Sequence, residues 1–106
     1  FAARGVSPDQ LMAWLGPAIG PAACEVDAAV VDGMRDGDNP ALARTDATHW
    51  QLDLAALARL RLAERGVTDV FGGDYCTFMD SRRFFSYRRD GACGRQATLI
   101  WIDPPP

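Results

Sequence analysis

The sequence contains no lysine and a single histidine. All 11 basic residues are arginines, which together with abundant alanine fits a GC-rich coding sequence better than a chemical requirement. With His49 the sole imidazole, a Ser-His-Asp or Cys-His catalytic pair would have to use it, as would a zinc site with an imidazole ligand. His49 sits beside Trp50 in an ambiguous stretch and reads as a surface or core-edge residue. The three cysteines, Cys24, Cys76 and Cys93, are odd in number and none has C-x-x-C spacing. They read as reduced, partly buried thiols rather than as a disulfide framework. A metal site of His49 with two cysteines has suitable ligand types but no supporting spacing. No apolar run approaches the roughly 18 residues that span a bilayer, and no signal-peptide pattern opens the chain. The net charge of -3 gives no general attraction to nucleic acid or acidic membranes.

What is present is ordinary globular material. Apolar residues make up 48% of the 106 and charged residues 24%, enough for a modest core in one domain or part of one. The opening Phe1-Ala2-Ala3-Arg4-Gly5 has no initiator Met and reads as the end of a helix closed by Gly. The expectation is a fragment of a longer protein.

Ser7-Pro8-Asp9-Gln10 has the form of a helix start, with a capping Ser, Pro at the first position and Gln at the capping-box position. Leu11 to Leu15 reads as a buried strand. Gly16 to Pro21 breaks regular structure and predicts a rigid, specific loop. Cys24 to Val26 is a short extended piece, and Asp27 caps a helix to about Met34. Arg35 to Pro40 is the clearest exposed loop. Ala41 to Gln51 could hold short strands near Ala41–Arg44 and His49–Leu52. A helix runs from the capping Asp53 to about Arg65, terminated by Gly66, with an apolar stripe of Leu54, Leu57, Ala58 and Leu60 and a wet side holding Arg59. Val67 to Phe71 and Tyr75 to Phe78 read as strands. Phe84 to Ile102 reads as an antiparallel hairpin. The fold class expected is α+β.

The tail carries the candidate chemistry. Arg82, Arg83, Arg88, Arg89 and Arg95 lie close together in sequence, and an Arg fork suits phosphate or carboxylate. On a strand, Arg88 and Arg89 point to opposite faces, so one meets a ligand anion or a buried carboxylate and the other is solvated. Pairing with an acidic neighbour such as Asp90 is the structural alternative. Rings among arginines suggest single-stranded nucleic acid, but the acidic total opposes it. The Gly16–Pro21 loop could bring backbone N–H groups close to a ligand or serve only as a tight turn. It matches no nucleotide-binding fingerprint.

Three blocks carry a resemblance: Leu15-Gly16-Pro17-Ala18-Ile19-Gly20-Pro21 followed by Glu25-Val26; Phe71-Gly72-Gly73-Asp74 with Cys76-Thr77; and Phe84 to Asp90 followed by Gly94-Arg95 and Leu99-Ile100-Trp101. In this order they resemble the YfiH family, also called laccase-domain or polyphenol oxidoreductase proteins. The resemblance implies a cytoplasmic bacterial enzyme that splits adenosine or inosine with phosphate and deaminates adenosine. A copper-dependent polyphenol oxidase is the older alternative. It implies an α/β sandwich with mixed sheets and outer helices, of which residues 1–106 are the C-terminal part of a single domain.

The zinc (or copper) ligands and the catalytic residues then belong upstream, with no catalytic or metal residue expected in this chain. Cys76 matches a family position without a nucleophile role, and Cys24 stands where relatives often have an aromatic residue. The substrate-binding candidates are Gly16, Pro17, Ala18, Ile19, Gly20, Tyr87, Arg88 and Arg89, walling a pocket for purine nucleoside and phosphate. The implied partner is the missing N-terminal half, with no nucleic acid and no membrane. A non-catalytic binding module and a hydrolase or oxidase built on Cys76 are the competing readings.

Overall fold

The structure, a computed structural model, describes residues 1–105. Ser7 opens a 3-10 turn, Pro8–Gln10, whose capping box forms as expected, with the Ser7 N–H donating to Gln10 Oε1 at 2.9 Å. Strand β1 (Met12–Leu15) follows. After the Gly-Pro loop and a 3-10 turn, Pro21–Ala23, come β2 (Glu25–Asp27) and α1 (Ala28–Asp32). The Asp27 carboxylate accepts from the Val30 N–H at 3.2 Å, so Asp27 caps α1, which stops at Asp32 short of Met34. Strands β3 (Leu42–Arg44) and β4 (His49–Leu52) lead into α2 (Leu54–Glu64). Asp53 caps α2 by accepting from the Ala56 N–H at 3.0 Å. Gly66 takes the left-handed φ of 83° just beyond the helix, a conformation that suits glycine. Strand β5 (Asp69–Gly72) and the one-turn helix α3 (Tyr87–Asp90) complete the elements.

Two sheets result. Strands β1 and β5 pair in parallel, and β2-β4-β3 form an antiparallel sheet. Helices are mixed with parallel and antiparallel strands, so the fold is α+β. The core lies where the three-stranded sheet meets α2. Cys24, Ala41 and Leu52 are buried there, and Leu54, Leu57 and Leu60 of the α2 stripe pack against them.

Several expectations are corrected. Phe84–Ile102 forms no hairpin: Tyr87–Asp90 is helical and residues 91–105 have no helix or strand. Ser86 nucleates the helix, its hydroxyl accepting from the Arg89 N–H at 3.3 Å, and Gly91 at φ 70° ends it. Local capping therefore overrides the aromatic alternation that suggested a strand. Tyr75–Phe78 makes only an isolated bridge, through Cys76. Leu11–Leu15 contributes a strand, but Met12 and Trp14 on it are exposed. Arg59 is not simply solvated: its Nη2 donates to the Gly72 carbonyl at 2.7 Å.

The Arg35–Pro40 stretch is not a plain exposed loop. It folds as a 3-10 turn, Asp36–Ala41, around Asp38, which is fully buried. Arg61 on α2 donates to Asp38 through Nη2 at 2.7 Å, and the Arg35 N–H donates at 3.0 Å. These bonds satisfy the carboxylate, as a buried charge requires. The Arg61 hydrogen bond, followed by the Arg35 N–H, holds the Asp38 carboxyl below its usual range despite burial.

Two outcomes follow from this packing. Leu52→Ala, which empties the centre of a small core, is expected to cost about 2–5 kcal/mol in denaturant unfolding. Asp38 binds a proton less readily folded than unfolded, so its contribution is present above the ordinary carboxylate value of about 4 and is lost as pH falls through its depressed folded value. Unfolding free energy measured against pH should therefore drop on acidification, and Asp38→Asn should be less stable at neutral pH with a shallower acid limb.

Candidate functional site

The loop after β1 and the segment after β5 continue side by side beyond their strands. Leu15 pairs with Gly72 at the end of the ladder. The Gly73 N–H then donates to the Leu15 carbonyl at 3.2 Å, Ala18 bridges Cys76 in parallel, and the Thr77 N–H donates to the Ala18 carbonyl at 3.0 Å. Glycine makes this approach possible. Gly72 has φ 85°, and a Cβ there would lie 2.4 Å from the Leu15 carbonyl oxygen. A Cβ on Gly20 would meet Cys76 at 3.2 Å.

The seam and the first turn of α2 enclose a cavity of about 240 Å³. Its walls are mostly apolar. The rings of Trp14 and Tyr75, the backbone at Gly16 and Ala18–Gly20, and the side chains at the start of α2 line it. The volume lies below the roughly 300–1,000 Å³ of drug-sized pockets, so it suits a group about the size of a flat heterocycle. Tyr75 also borders a shallow, open basin lined by Asp80, Arg82 and Arg83. The Arg83 guanidinium lies 4.3 Å from the Tyr75 ring centroid and pairs with Asp80 at 2.5 Å. It is thereby locked against the ring by charge on one side and π density on the other.

Cys76 lies at the seam, and its Sγ accepts from the Gly20 N–H at 3.1 Å. Burial pushes the thiol pKa up, but the Gly20, Met79 and Phe78 N–H groups together outweigh it and leave the thiol below its ordinary value. Backbone donors favour the thiolate, as they favour any anion held in a concave run of N–H groups.

Four of the predicted substrate-binding residues, Gly16, Ala18, Ile19 and Gly20, line the cavity, and Pro17 sits between them in the loop. Tyr87, Arg88 and Arg89 are on α3 and do not line it. Because they sit on a helical turn, the strand alternation expected for the two arginines does not apply. Arg88 donates to the Glu25 carbonyl at 3.1 Å. Arg89 is more deeply engaged. Its Nη1 donates to the Thr77 and Phe78 carbonyls at 2.9 and 3.1 Å, its Nη2 to the Phe84 carbonyl at 2.9 Å, and it pairs with Asp90 at 2.7 Å. The pairing with Asp90 weighed above thus exists, and the fork is spent on the protein.

No group of three or more His, Cys, Asp and Glu able to hold a metal ion occurs among the described residues. His49 Nδ1 is 3.1 Å from Asp46 in a hairpin turn, and Cys24 is in the core. These residues do not fit the zinc or copper that the resemblance implies.

The model of a family described as multi-copper polyphenol oxidoreductase laccase matches residues 1–103. The chain belongs to this family. A purine nucleoside phosphorylase of Xylella fastidiosa is 47% identical over 106 residues, covering 95% of this chain and 41% of the relative. Purine nucleoside phosphorylase YfiH of Escherichia coli is 45% identical over 98 residues, covering 91% and 40%. The crystal structure of a Neisseria meningitidis protein matches with a TM-score of 0.81 at 44% identity, covering 86% of this chain and 39% of that one. The chain thus spans about two fifths of the length of the curated relatives it matches. Residues of two blocks of the family resemblance, Gly16 and Ala18–Pro21 from the first and Gly73 from the second, meet at the cavity, with Tyr75 beside the latter. Trp14 and Tyr75 are wall residues that the expected set does not include. An aromatic two positions from Gly16 and another two positions from Gly73 was the signal that could have found them.

Two measurements probe this geometry. Gly72→Ala is expected to destabilise the protein by about 1–2 kcal/mol from its left-handed φ alone, and by more from the clash with the Leu15 carbonyl. Thiol alkylation followed against pH should show Cys76 reaching its thiolate at lower pH than an ordinary cysteine. Gly20→Pro, which removes one donor to the sulfur, should shift that profile upward.

Proposed function

We propose that this chain supplies the base-binding wall of a purine nucleoside phosphorylase acting on adenosine and inosine, with the bond-breaking groups and the metal carried by the rest of the family fold. The observation that carries this reading is the small apolar cavity walled by Trp14, Tyr75 and the Gly16–Gly20 loop, in a chain 45–47% identical to proteins named purine nucleoside phosphorylase. A purine is flat and apolar on both faces, and stacking on an aromatic ring contributes about 1–3 kcal/mol per base. The adjoining basin with Arg82 and Arg83 lies beside the same Tyr75 ring, on the side suited to a phosphate or a ribose hydroxyl.

In this reading the Gly16–Gly20 loop binds the base. Tyr87, exposed, and Arg88, held by one carbonyl, contribute to the anion side. Arg89 acts by fixing α3 to the turn after Cys76. Adenosine deamination belongs to the same proposal, as does a cytoplasmic location. No helix among the described residues is long and apolar enough to cross a membrane. The chain taken alone is inactive in this proposal.

The reading is tested in a protein joining this chain to the rest of the family fold. Trp14→Ala and Tyr75→Ala should weaken inosine binding about 5- to 150-fold, the range that loss of one stacking partner implies. Arg88→Ala should raise the KM for phosphate, whereas Arg89→Ala should lower the melting temperature. Unchanged inosine affinity in both aromatic variants would remove the base-wall assignment. Phosphorolysis by the 106-residue chain alone would remove the division of labour.

A further inference from the structure

The width of the cavity depends on where α2 stands. The helix turns Leu54, Ala55 and Ala58 to it. The two alanines have no rotamers with which to adjust, so the gap opposite them follows the helix backbone. Most of what holds α2 lies away from this gap. Arg61 bonds to Asp38 at 2.7 Å and Glu64 to Arg35 at 2.9 Å, both at the Asp36–Ala41 turn or its flank. Leu57 and Leu60 pack on the core beside the three-stranded sheet.

Arg59 is different. Among the described residues it is the one α2 side chain with a hydrogen bond or ion pair to the seam. The backbone prepares that bond. Gly72 and Gly73 follow one another at φ 85° and 83°, a double left-handed step that glycine makes without strain, and the Gly72 carbonyl accepts from Arg59 Nη2 at 2.7 Å. A Cβ on Gly73 would lie 3.0 Å from the Ala55 Cβ and 3.3 Å from Arg59 Nη1. The helix and the seam therefore touch at Gly73, which lines the cavity, and Arg59 fastens them there. Arg59 itself is exposed and does not line the cavity.

We propose that Arg59 is a positioning residue that sets the gauge of the cavity, so that it admits purine nucleosides with small substituents on the base (hydrogen, amino or oxo) and rejects those with a bulky exocyclic group. This proposal rests on the base-wall reading given above. A cavity of about 240 Å³ is smaller than a drug-sized pocket, and a base carrying a further ring fits only if α2 withdraws. The Arg59 bond holds the narrow form before the base arrives. Affinity scales with the fraction of molecules already in the competent form, so the bond favours plain purines through the helix, without touching them. Once it is removed, α2 is free to stand further from Gly73. The cavity then holds plain bases less tightly and accepts larger ones.

The test uses the protein that joins this chain to the rest of the family fold and compares adenosine with N6-benzyladenosine in phosphorolysis. Arg59→Met keeps the stem and removes the donors, and at an exposed position it leaves the core intact. The KM for adenosine should rise about tenfold, the low end for a hydrogen bond from a charged donor, with kcat and the KM for phosphate unchanged. The KM for N6-benzyladenosine should stay level or fall, so that discrimination between the two nucleosides drops by a similar factor. Arg59→Lys keeps a cationic donor for the single carbonyl and should restore the discrimination. An equal loss for both nucleosides, no change for either, or an Arg59→Lys variant as undiscriminating as Arg59→Met overturns the proposal. Trp14→Ala separates this failure from that of the reading beneath it. If Trp14→Ala weakens adenosine binding while Arg59→Met leaves discrimination unchanged, only the gauge is wrong; if neither the Trp14→Ala nor the Tyr75→Ala variant alters adenosine binding, the base wall and the gauge fall together.

Discussion

The parallel seam between residues 12–18 and 69–77 is the constraint on which the site depends. It joins segments far apart in sequence: the Gly20 N–H and the Cys76 sulfur that it brings to 3.1 Å are 56 residues apart. Parallel strands cannot be joined by a tight turn, and the connection here carries the antiparallel sheet and α2. That connection is where the core lies, so the core exists to return the chain to the seam in register. The glycines then decide how close the two segments come. Where Gly72 faces the Leu15 carbonyl and Gly20 faces Cys76, a side chain would hold the walls apart.

Arginine does structural work throughout. Arg61 draws the Asp36–Ala41 turn onto α2 through the buried Asp38, and the Arg35 guanidinium reaches Glu64 at the end of α2 at 2.9 Å. Arg59 ties α2 to the end of β5 through the Gly72 carbonyl. Arg89 binds three backbone carbonyls and fastens α3 beside the turn after Cys76. A planar fork with five donors can satisfy several carbonyls at once, which an ammonium on a flexible stem does less well. In a chain without lysine, clusters of arginine in the sequence therefore mark joints as readily as ligand sites.

Local signals were the most legible. The capping residues Ser7, Asp27 and Asp53, the terminator Gly66 and the stripe of Leu54, Leu57 and Leu60 all act within a few residues of themselves, and the structure shows each in its expected role. The break in regular structure at Gly16–Pro21 was legible for the same reason. The parallel pairing of β1 with β5 was not, because nothing local to Met12–Leu15 names a partner beyond residue 68. The burial of Asp38 was hidden because its partner Arg61 lies on another element. The tail was misread in an informative way: its sequence favours a strand, but a strand needs a neighbour. Ser86 and Gly91 could make a helical turn at Tyr87–Asp90 unaided, whereas Thr98–Ile102 had nothing to pair with.

The seam also has a thermodynamic consequence. The cavity has one wall from each of its two segments, so any partly unfolded form in which they separate has no cavity at all. Whatever binds between Trp14 and Tyr75 therefore acts as a clasp, opposing separation of the segments by its own binding free energy. Occupancy and seam closure are linked equilibria. Slowed amide exchange at Thr77, whose N–H bonds across the seam to the Ala18 carbonyl and which lies outside the cavity lining, would report a bound ligand that does not touch it.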